Sequence, residues 1–156
     1  PQKNLFLMNV SAFSSFLIPK TKGSPLIGDA KFNDFHINNI KILKNERSVV
    51  LIRKSQISRA LINILDNAKK FADNIYINSL FDGSKWIISI EDDGPGTNLS
   101  QEQLVKPFTK GADQLNQGTG LGLSIVQKLI KLNNGELNFE KSSYGGLKVI
   151  ISLEVK

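Results

Sequence analysis

The chain has 156 residues, 40% hydrophobic and 22% charged, a composition typical of one folded domain and unlike that of a disordered or low-complexity segment. It has no cysteine and one histidine, His36, which excludes disulfide frameworks, thiolate zinc sites, cysteine nucleophiles and histidine-clustered metal sites. The formal net charge is +6, but the lysines are spread along the chain, so we expect a solvated basic surface and no nucleic-acid partner.

The first third of the chain gives the weakest structural signals. An apolar stretch over residues 5–18 predicts a short strand followed by a helix, and glycines and prolines predict a loop over 19–29. Residues 35–43 and 49–52 predict two strands joined by a polar turn. No apolar run reaches the ~18 residues of a spanning helix, and no signal-peptide layout is present, so we expect a soluble piece of a longer protein.

Later segments show clear periodicity. Apolar residues recur every three or four positions over 55–72 and 119–132, which predicts two amphipathic helices, the first with Ser55 as its N-cap and the second ended by Gly135. Strands are predicted over 75–81, 86–91, 137–141 and 147–155. The long connection from Gly96 to Gln117 suggests a functional loop. Antiparallel strands with helices on one face predict an α+β two-layer sandwich.

Two asparagines stand one turn apart on the first of these helices. Asn63 and Asn67 lie on a face that adjoins the buried apolar stripe. Asparagine is unfavourable at such a position unless its polar groups are hydrogen-bonded. Two interpretations remain open: internal hydrogen bonds at the edge of the core, or ligation of a hard cation such as Mg²⁺ together with phosphate oxygens.

Two glycine-rich segments have the composition of ligand-binding loops. In Glu91-Asp92-Asp93-Gly94-Pro95-Gly96 the acidic residues form either a simple turn or an acceptor for a base or sugar, with glycines that allow close approach. Alternate glycines from Gly118 to Gly122 at a helix start leave backbone N–H groups open to a phosphate. Their spacing matches neither the dinucleotide-binding fingerprint nor a P-loop.

The order of these motifs resembles that of the GHKL ATP-binding superfamily, which includes gyrase, MutL, the ninety-kilodalton heat-shock chaperone and histidine kinases. In detail the chain is similar to the catalytic ATP-binding (HATPase, GHKL/Bergerat) domain of a bacterial sensor histidine kinase of the EnvZ-like type. The strings RALINILDNAKKFA, EDDGPG, KPFTKG and GTGLGLSIVQKLIKLNNGEL carry the resemblance, which covers about residues 55–155. It implies a mixed, mostly antiparallel sheet with helices on one face, and one ATP-binding domain over residues 1–156.

The resemblance also implies roles for individual residues. Asn67 would bind Mg²⁺, Lys70 would reach phosphate oxygens as the second catalytic residue, and Asn63 would lie close to the phosphates. Asp92 would accept a hydrogen bond from the adenine amino group. The residues that would shape the rest of the nucleotide pocket and its lid, about residues 97–117, are Phe71, Gly94, Gly96, Phe108, Lys110, Gly118, Thr119, Gly120, Leu121 and Gly122.

The sequence departs from the family pattern at three places. Lys110 stands where the family commonly has arginine, and so loses the bidentate fork. Gly146-Leu147-Lys148 lacks the usual threonine or serine that supports the adenine-binding aspartate. His36 lacks a following acidic residue, so we expect it to be an ordinary histidine and the phosphoacceptor domain to be absent from this chain.

The resemblance implies that the domain binds Mg·ATP and transfers the γ-phosphate to a histidine of a separate helical dimerisation domain, from which a response regulator takes it. The isolated domain would be a monomer, and the parent a homodimer anchored in the inner membrane with this domain in the cytoplasm. Two alternatives remain: a GHKL ATPase or a serine protein kinase of the anti-sigma type, and a degenerate module that binds a partner without catalysis.

Overall fold

The computed structural model of the chain describes residues 2–8, 40–109 and 120–155. Its elements in chain order are β1 (Asn4–Met8), β2 (Ile40–Asn45), β3 (Ser48–Ile52), α1 (Lys54–Phe71), β4 (Ile75–Phe81), β5 (Lys85–Asp92), α2 (Gln101–Leu104), α3 (Gly122–Leu132), β6 (Gly135–Lys141) and β7 (Leu147–Glu154). None of the helices within these ranges is long and apolar enough to cross a membrane.

The strands form two sheets. A five-stranded sheet has the order β2-β4-β5-β7-β6, in which β2 pairs parallel with β4 and the other neighbours are antiparallel. Strands β1 and β3 form a separate antiparallel pair, connected to the end of the chain by a bridge between Val50 and Val155. The predicted α+β architecture with a mixed sheet is confirmed. The predicted helix and loop over residues 11–29, and His36, lie outside the described residues.

The core lies between the five-stranded sheet and helices α1 and α3. Alternate residues of β5, namely Trp86, Ile88 and Ile90, are buried on the face that carries the helices. Helix α1 buries residues at spacings of three and four, and α3 packs against it. The buried residues of α1 are Ile57, Ala60, Leu61, Ile64, Leu65 and Ala68. The apolar stripes therefore hold α1 and α3 in place, and α1 carries the paired asparagines.

The start of α1 is fixed by the end of α3 and not by a side-chain cap. The prediction that Ser55 is the N-cap is wrong: Arg53 occupies that position, and its side chain makes no capping hydrogen bond. Instead the Arg53 N–H donates to Asn133 Oδ1 at 2.7 Å, and Asn133 Nδ2 donates to Gln56 Oε1 and to the Leu129 carbonyl, both at 2.9 Å. Through these bonds the buried Asn133 ties the N-cap residue and the first turn of α1 to the end of α3.

We expect Asn133→Ala to lower the free energy of unfolding by about 1–3 kcal/mol, because it leaves the Arg53 N–H and the Gln56 side chain without their acceptor and donor. Urea denaturation followed by circular dichroism measures the change. The matched control is Asn138→Ala, at an exposed position of β6, which should change the stability by less than about 0.5 kcal/mol. Equal effects of the two substitutions would contradict this role for Asn133.

Gly135 has a different role from the one predicted. The left-handed residue after α3 is Asn134, with a φ of 59°, and Gly135 already begins β6. A Cβ on Gly135 would lie 2.7 Å from Leu153 Cδ2 and 2.9 Å from Ile130 Cγ2. Gly135 is therefore needed for close packing of the strand against the helix, and asparagine supplies the helix stop.

Candidate functional site

The paired asparagines lie on α1 as predicted, both half-buried, with Lys70 exposed in the last turn. Asn63 Nδ2 is fully buried and has no hydrogen-bond partner, the only such side-chain atom in the part of the chain that the structure describes. A buried donor left without an acceptor costs about 1–3 kcal/mol. An oxygen of a ligand bound beside Asn63 would remove that cost.

Three consecutive acidic residues, Glu91 to Asp93, lie at the end of β5 and directly after it, and the two outer ones connect neighbouring segments. Glu91 Oε2 accepts a hydrogen bond from the Ser143 N–H at 3.1 Å. Asp93 Oδ1 accepts from the Asn74 N–H at 2.8 Å and the Asp73 N–H at 2.9 Å, and Asp93 Oδ2 accepts from Asn74 Nδ2 at 2.6 Å. The hydrogen bonds that Asn74 donates lower the pKa of Asp93, and the one from its backbone amide has the largest effect. Asp93 thus clamps the connection between α1 and β4.

Asp92, between them, is 7% exposed and held by backbone amides. Its Oδ1 accepts from the Gly94 N–H at 3.0 Å and from the Leu147 N–H at 3.2 Å, while Oδ2 accepts no hydrogen bond from the described residues. Burial raises the pKa of the Asp92 carboxyl, and the two amides oppose part of that rise. The arrangement fixes one carboxylate oxygen and leaves the other to accept from an N–H of a ligand.

Glycines allow three segments to meet around this carboxylate. A Cβ on Gly94 would lie 2.7 Å from the Phe71 carbonyl oxygen, at the end of α1. A Cβ on Gly96, whose φ is +71°, would lie 3.1 Å from the Gly145 carbonyl oxygen, and one on Gly146 would collide with Asp92 Oδ1. The end of α1, the end of β5 and the turn between β6 and β7 therefore enclose Asp92.

The contribution of the β6–β7 turn was missed in the sequence analysis. Gly146-Leu147-Lys148 carries no hydroxyl, but the Leu147 N–H donates to Asp92 Oδ1 and supports the carboxylate from the backbone. The signal was the pair Gly145-Gly146 directly before a predicted strand, since adjacent glycines permit a close approach of two backbones.

A cavity of about 320 Å³ opens beside these glycines, between residues 95–104 and the β6–β7 hairpin. Its walls include Gly96, Gly146 and the apolar side chains of Leu104, Phe139 and Leu147. The volume lies at the lower end of the range of small-molecule sites. The glycines of the Asp92 enclosure thus also border a space of ligand size.

Phe108, within the predicted lid, contacts Gly120, which follows the lid in the sequence. The Phe108 N–H donates to the Gly120 carbonyl at 3.0 Å, and both residues have positive φ, 63° and 69°. A Cβ on Gly120 would lie 2.8 Å from the Thr109 carbonyl oxygen, so this position requires glycine. The Phe108 side chain is 74% exposed, so the backbone forms this contact and the ring projects outward.

The residues that follow the predicted lid have simpler surroundings. Leu121 is the N-cap of α3, and its carbonyl accepts from the Ile125 N–H at 3.1 Å. Gly122 is the first residue of α3, and a Cβ there would meet no atom within 4 Å among the described residues. Helix α2 was not predicted, although Ser100 and Gln103 form the capping box that signals a helix start. The predicted site residues outside the described ranges are Lys110, Gly118 and Thr119.

Side chains suited to a preformed metal cage are absent from this region. No group of three or more His, Cys, Asp or Glu side chains within residues 2–8, 40–109 and 120–155 could hold a metal ion. Mg²⁺ commonly binds through one or two protein oxygens together with water and phosphate oxygens. The Asn67 side-chain oxygen, one turn from the unpartnered Asn63 amide, fits that mode.

Comparison with known proteins identifies relatives of the chain. The family model for the histidine kinase-, DNA gyrase B- and HSP90-like ATPases matches residues 53–156. The sensor histidine kinase CpxA of Escherichia coli strain K12 is 36% identical over 99 residues, which cover 60% of this chain and 22% of CpxA. The chain thus spans about a fifth of the length of the curated relatives it matches.

Solved structures share the fold at low sequence identity. The mycobacterial sensor histidine kinase MprB superposes with a TM-score of 0.70 at 18% identity, covering 97% of this chain and 99% of that one. The ATP-binding domain of PrrB from Mycobacterium tuberculosis gives 0.71 at 14% identity, with 98% of each chain covered. These likenesses support the two-layer architecture seen in the described residues.

Proposed function

Because the chain belongs to the family of histidine kinase-, DNA gyrase B- and HSP90-like ATPases, we propose that it binds Mg·ATP and transfers the γ-phosphate to a histidine. The acceptor histidine lies on a separate helical dimerisation domain of the parent kinase. The family match supports the ATP site, and the curated relatives named sensor kinases support the kinase role.

The buried Asp92 carboxylate is the observation that carries the proposal. Two backbone amides hold Oδ1, so Oδ2 is oriented to accept a hydrogen bond from the exocyclic amino group of adenine. Gly94 and Gly96 let the end of α1 and the turn between β6 and β7 pack closely beside the carboxylate, since a side chain at either position would meet their backbone atoms. A carboxylate in this environment selects a base that presents a donor.

Helix α1 supplies the groups for the phosphates. Asn63 Nδ2 donates to a phosphate oxygen, which satisfies its unpartnered N–H. The Asn67 side-chain oxygen would hold Mg²⁺, and the bound ion would neutralise part of the negative charge of the phosphates. Lys70, exposed in the last turn, adds a second positive charge. Catalysis by this domain then consists mainly of positioning and charge neutralisation, as is usual for phosphoryl transfer.

The wider assignments follow the same proposal. Residues 1–156 form one ATP-binding domain whose lid spans about residues 97–117, and Lys110, Gly118 and Thr119 belong to its nucleotide-binding residues. The isolated domain is a monomer. Its parent is a homodimer anchored in the plasma membrane, with this domain in the cytoplasm. A response regulator receives the phosphate from the acceptor histidine.

The test has two stages on the 156-residue chain. Calorimetric titration with a non-hydrolysable ATP analogue and Mg²⁺ should show saturable binding to one site, and absence of binding would overturn the proposal. Incubation with labelled ATP and the dimerisation domain of the parent kinase should then give acid-labile phosphate on that domain. Acid-stable phosphate would instead support the serine-kinase alternative, and hydrolysis without transfer would support a GHKL ATPase.

A further inference from the structure

The turn between β6 and β7, residues 142–146, contacts Asp92 through its backbone. The Gly146 N–H donates to the Asp92 carbonyl at 3.1 Å, and the Leu147 N–H, directly after the turn, donates to Asp92 Oδ1 at 3.2 Å. Gly146 approaches so closely that a Cβ there would collide with the Asp92 carboxylate. The orientation of this carboxylate therefore depends on where the turn lies.

Hydrogen bonds to Glu91 hold one side of the turn. Glu91 is 5% exposed, and its Oε2 accepts from the Ser143 N–H at 3.1 Å and from Ser142 Oγ at 3.4 Å. Within the turn, the Ser142 N–H donates to the Gly146 carbonyl at 2.9 Å. Glu91, directly before Asp92, thus fixes the start of the turn. The end of the same turn contacts Asp92.

An aromatic stack holds the tip of the turn. The ring of Tyr144 lies on the ring of Tyr76, with centroids 3.5 Å apart and planes 9° from parallel, and Lys41 Nζ lies 5.3 Å from the Tyr76 centroid. Tyr76 stands opposite Glu91 in the register of β4 and β5. Both supports of the turn are therefore neighbours on the face of the sheet away from the helices. Tyr144 keeps 40% of its surface exposed, so this ring is positioned by its partner and not by burial in the core.

We propose that Tyr144, stacked on Tyr76, is a positioning residue for Asp92 and thereby sets the preference for a base that carries an amino group. The inference rests on the proposed function, in which Asp92 accepts from adenine. A stacked aromatic pair shifts an equilibrium by roughly 2- to 10-fold. Loss of the stack removes one of the supports of the turn, so the Leu147 amide holds the carboxylate less firmly.

The test compares two ligands on two chains. The ligands are a non-hydrolysable ATP analogue and the same analogue with purine in place of adenine, which lacks the amino group. Tyr144→Ala should weaken binding of the adenine ligand by roughly 3- to 10-fold and change binding of the purine ligand by less than about twofold. The ratio of the two affinities, measured by calorimetry with Mg²⁺, reports on Asp92 alone, because a general loss of structure weakens both ligands equally.

Two control variants accompany Tyr144→Ala. Tyr144→Phe keeps the stacked ring and should retain the full affinity ratio. Phe81→Ala removes an aromatic ring that is 42% exposed at the other end of β4 and should leave the ratio unchanged. Amide NMR shifts of Gly146 and Leu147 should move in Tyr144→Ala and stay in place in Phe81→Ala.

The outcomes separate this inference from the proposed function. If the unsubstituted chain binds neither ligand, the proposed function fails and the inference fails with it. If the unsubstituted chain prefers the adenine ligand and Tyr144→Ala keeps that preference, or loses both ligands in parallel, only the positioning role of Tyr144 is overturned.

Discussion

Asp92→Asn is expected to weaken binding of an ATP analogue at least about 100-fold. The carboxylate oxygen that accepts a hydrogen bond from the adenine amino group is replaced by an amide N–H₂, which is itself a donor. The substitution is isosteric, and the Oδ1 of asparagine can still accept from the Gly94 and Leu147 amides. The side-chain N–H₂ takes the place of Oδ2 and faces the adenine amino group. Calorimetric titration in the presence of Mg²⁺ measures the loss.

The same variant should keep or increase its thermal stability at neutral pH. Burial raises the pKa of Asp92 in the folded chain, so the folded state holds the proton more tightly than the unfolded state. The contribution of this group to stability therefore falls as pH rises from the ordinary range of aspartate through the raised pKa. An asparagine side chain at position 92 does not titrate, so its contribution to stability does not change with pH. Unchanged nucleotide affinity in the variant, or loss of its fold, would contradict the assignment of Asp92.

Asn67→Ala is expected to remove the Mg²⁺ dependence of nucleotide binding and to abolish phosphate transfer. Asn67 would be the protein ligand of the ion, so the affinity with Mg²⁺ should fall at least about tenfold, toward the value measured without it. Alanine is the stronger helix former by about 0.5 kcal/mol, so α1 should not lose stability. Titrations with and without Mg²⁺ and a phosphotransfer assay measure the two effects.

Asn138→Ala provides the control for this experiment, since it removes an exposed amide on β6 outside the site. It should leave both the affinity and the effect of Mg²⁺ unaltered. An Asn67→Ala chain that still binds the analogue more tightly with Mg²⁺ than without it would place the ion on other residues.

Local patterns predicted the elements whose side chains repeat with a clear period. The spacing of Leu61, Ile64, Leu65 and Ala68 specifies a helix with one buried face, and the structure has α1 over Lys54–Phe71. The turn Asp82-Gly83-Ser84 between β4 and β5 is likewise local, since Asp82 Oδ1 accepts from the Ser84 N–H and Gly83 adopts a φ of +100°. Such features depend on neighbours in sequence.

Features that depend on distant residues were not predictable in the same way. The parallel pairing of β2 with β4 joins strands separated by the whole of α1. The N-terminus of α1 is held by Asn133, 80 residues further on than Arg53. The Asp92 site shows the same limit: its acidic residue and glycines were predicted, but the Leu147 amide lies 55 residues away. A backbone donor has no side-chain signature in the sequence.

Asp93 has a consequence for the entropy of ligand binding. It accepts three hydrogen bonds from Asp73 and Asn74, directly after α1, while Asp92 beside it faces the site. The helix that carries Asn63 and Asn67 is therefore joined firmly to the strand that carries Asp92. In the proposed nucleotide site, the end of α1 and the end of β5 are thus held in place beforehand, so we expect little conformational entropy to be lost there on ligand binding and more of the contact energy to remain as affinity.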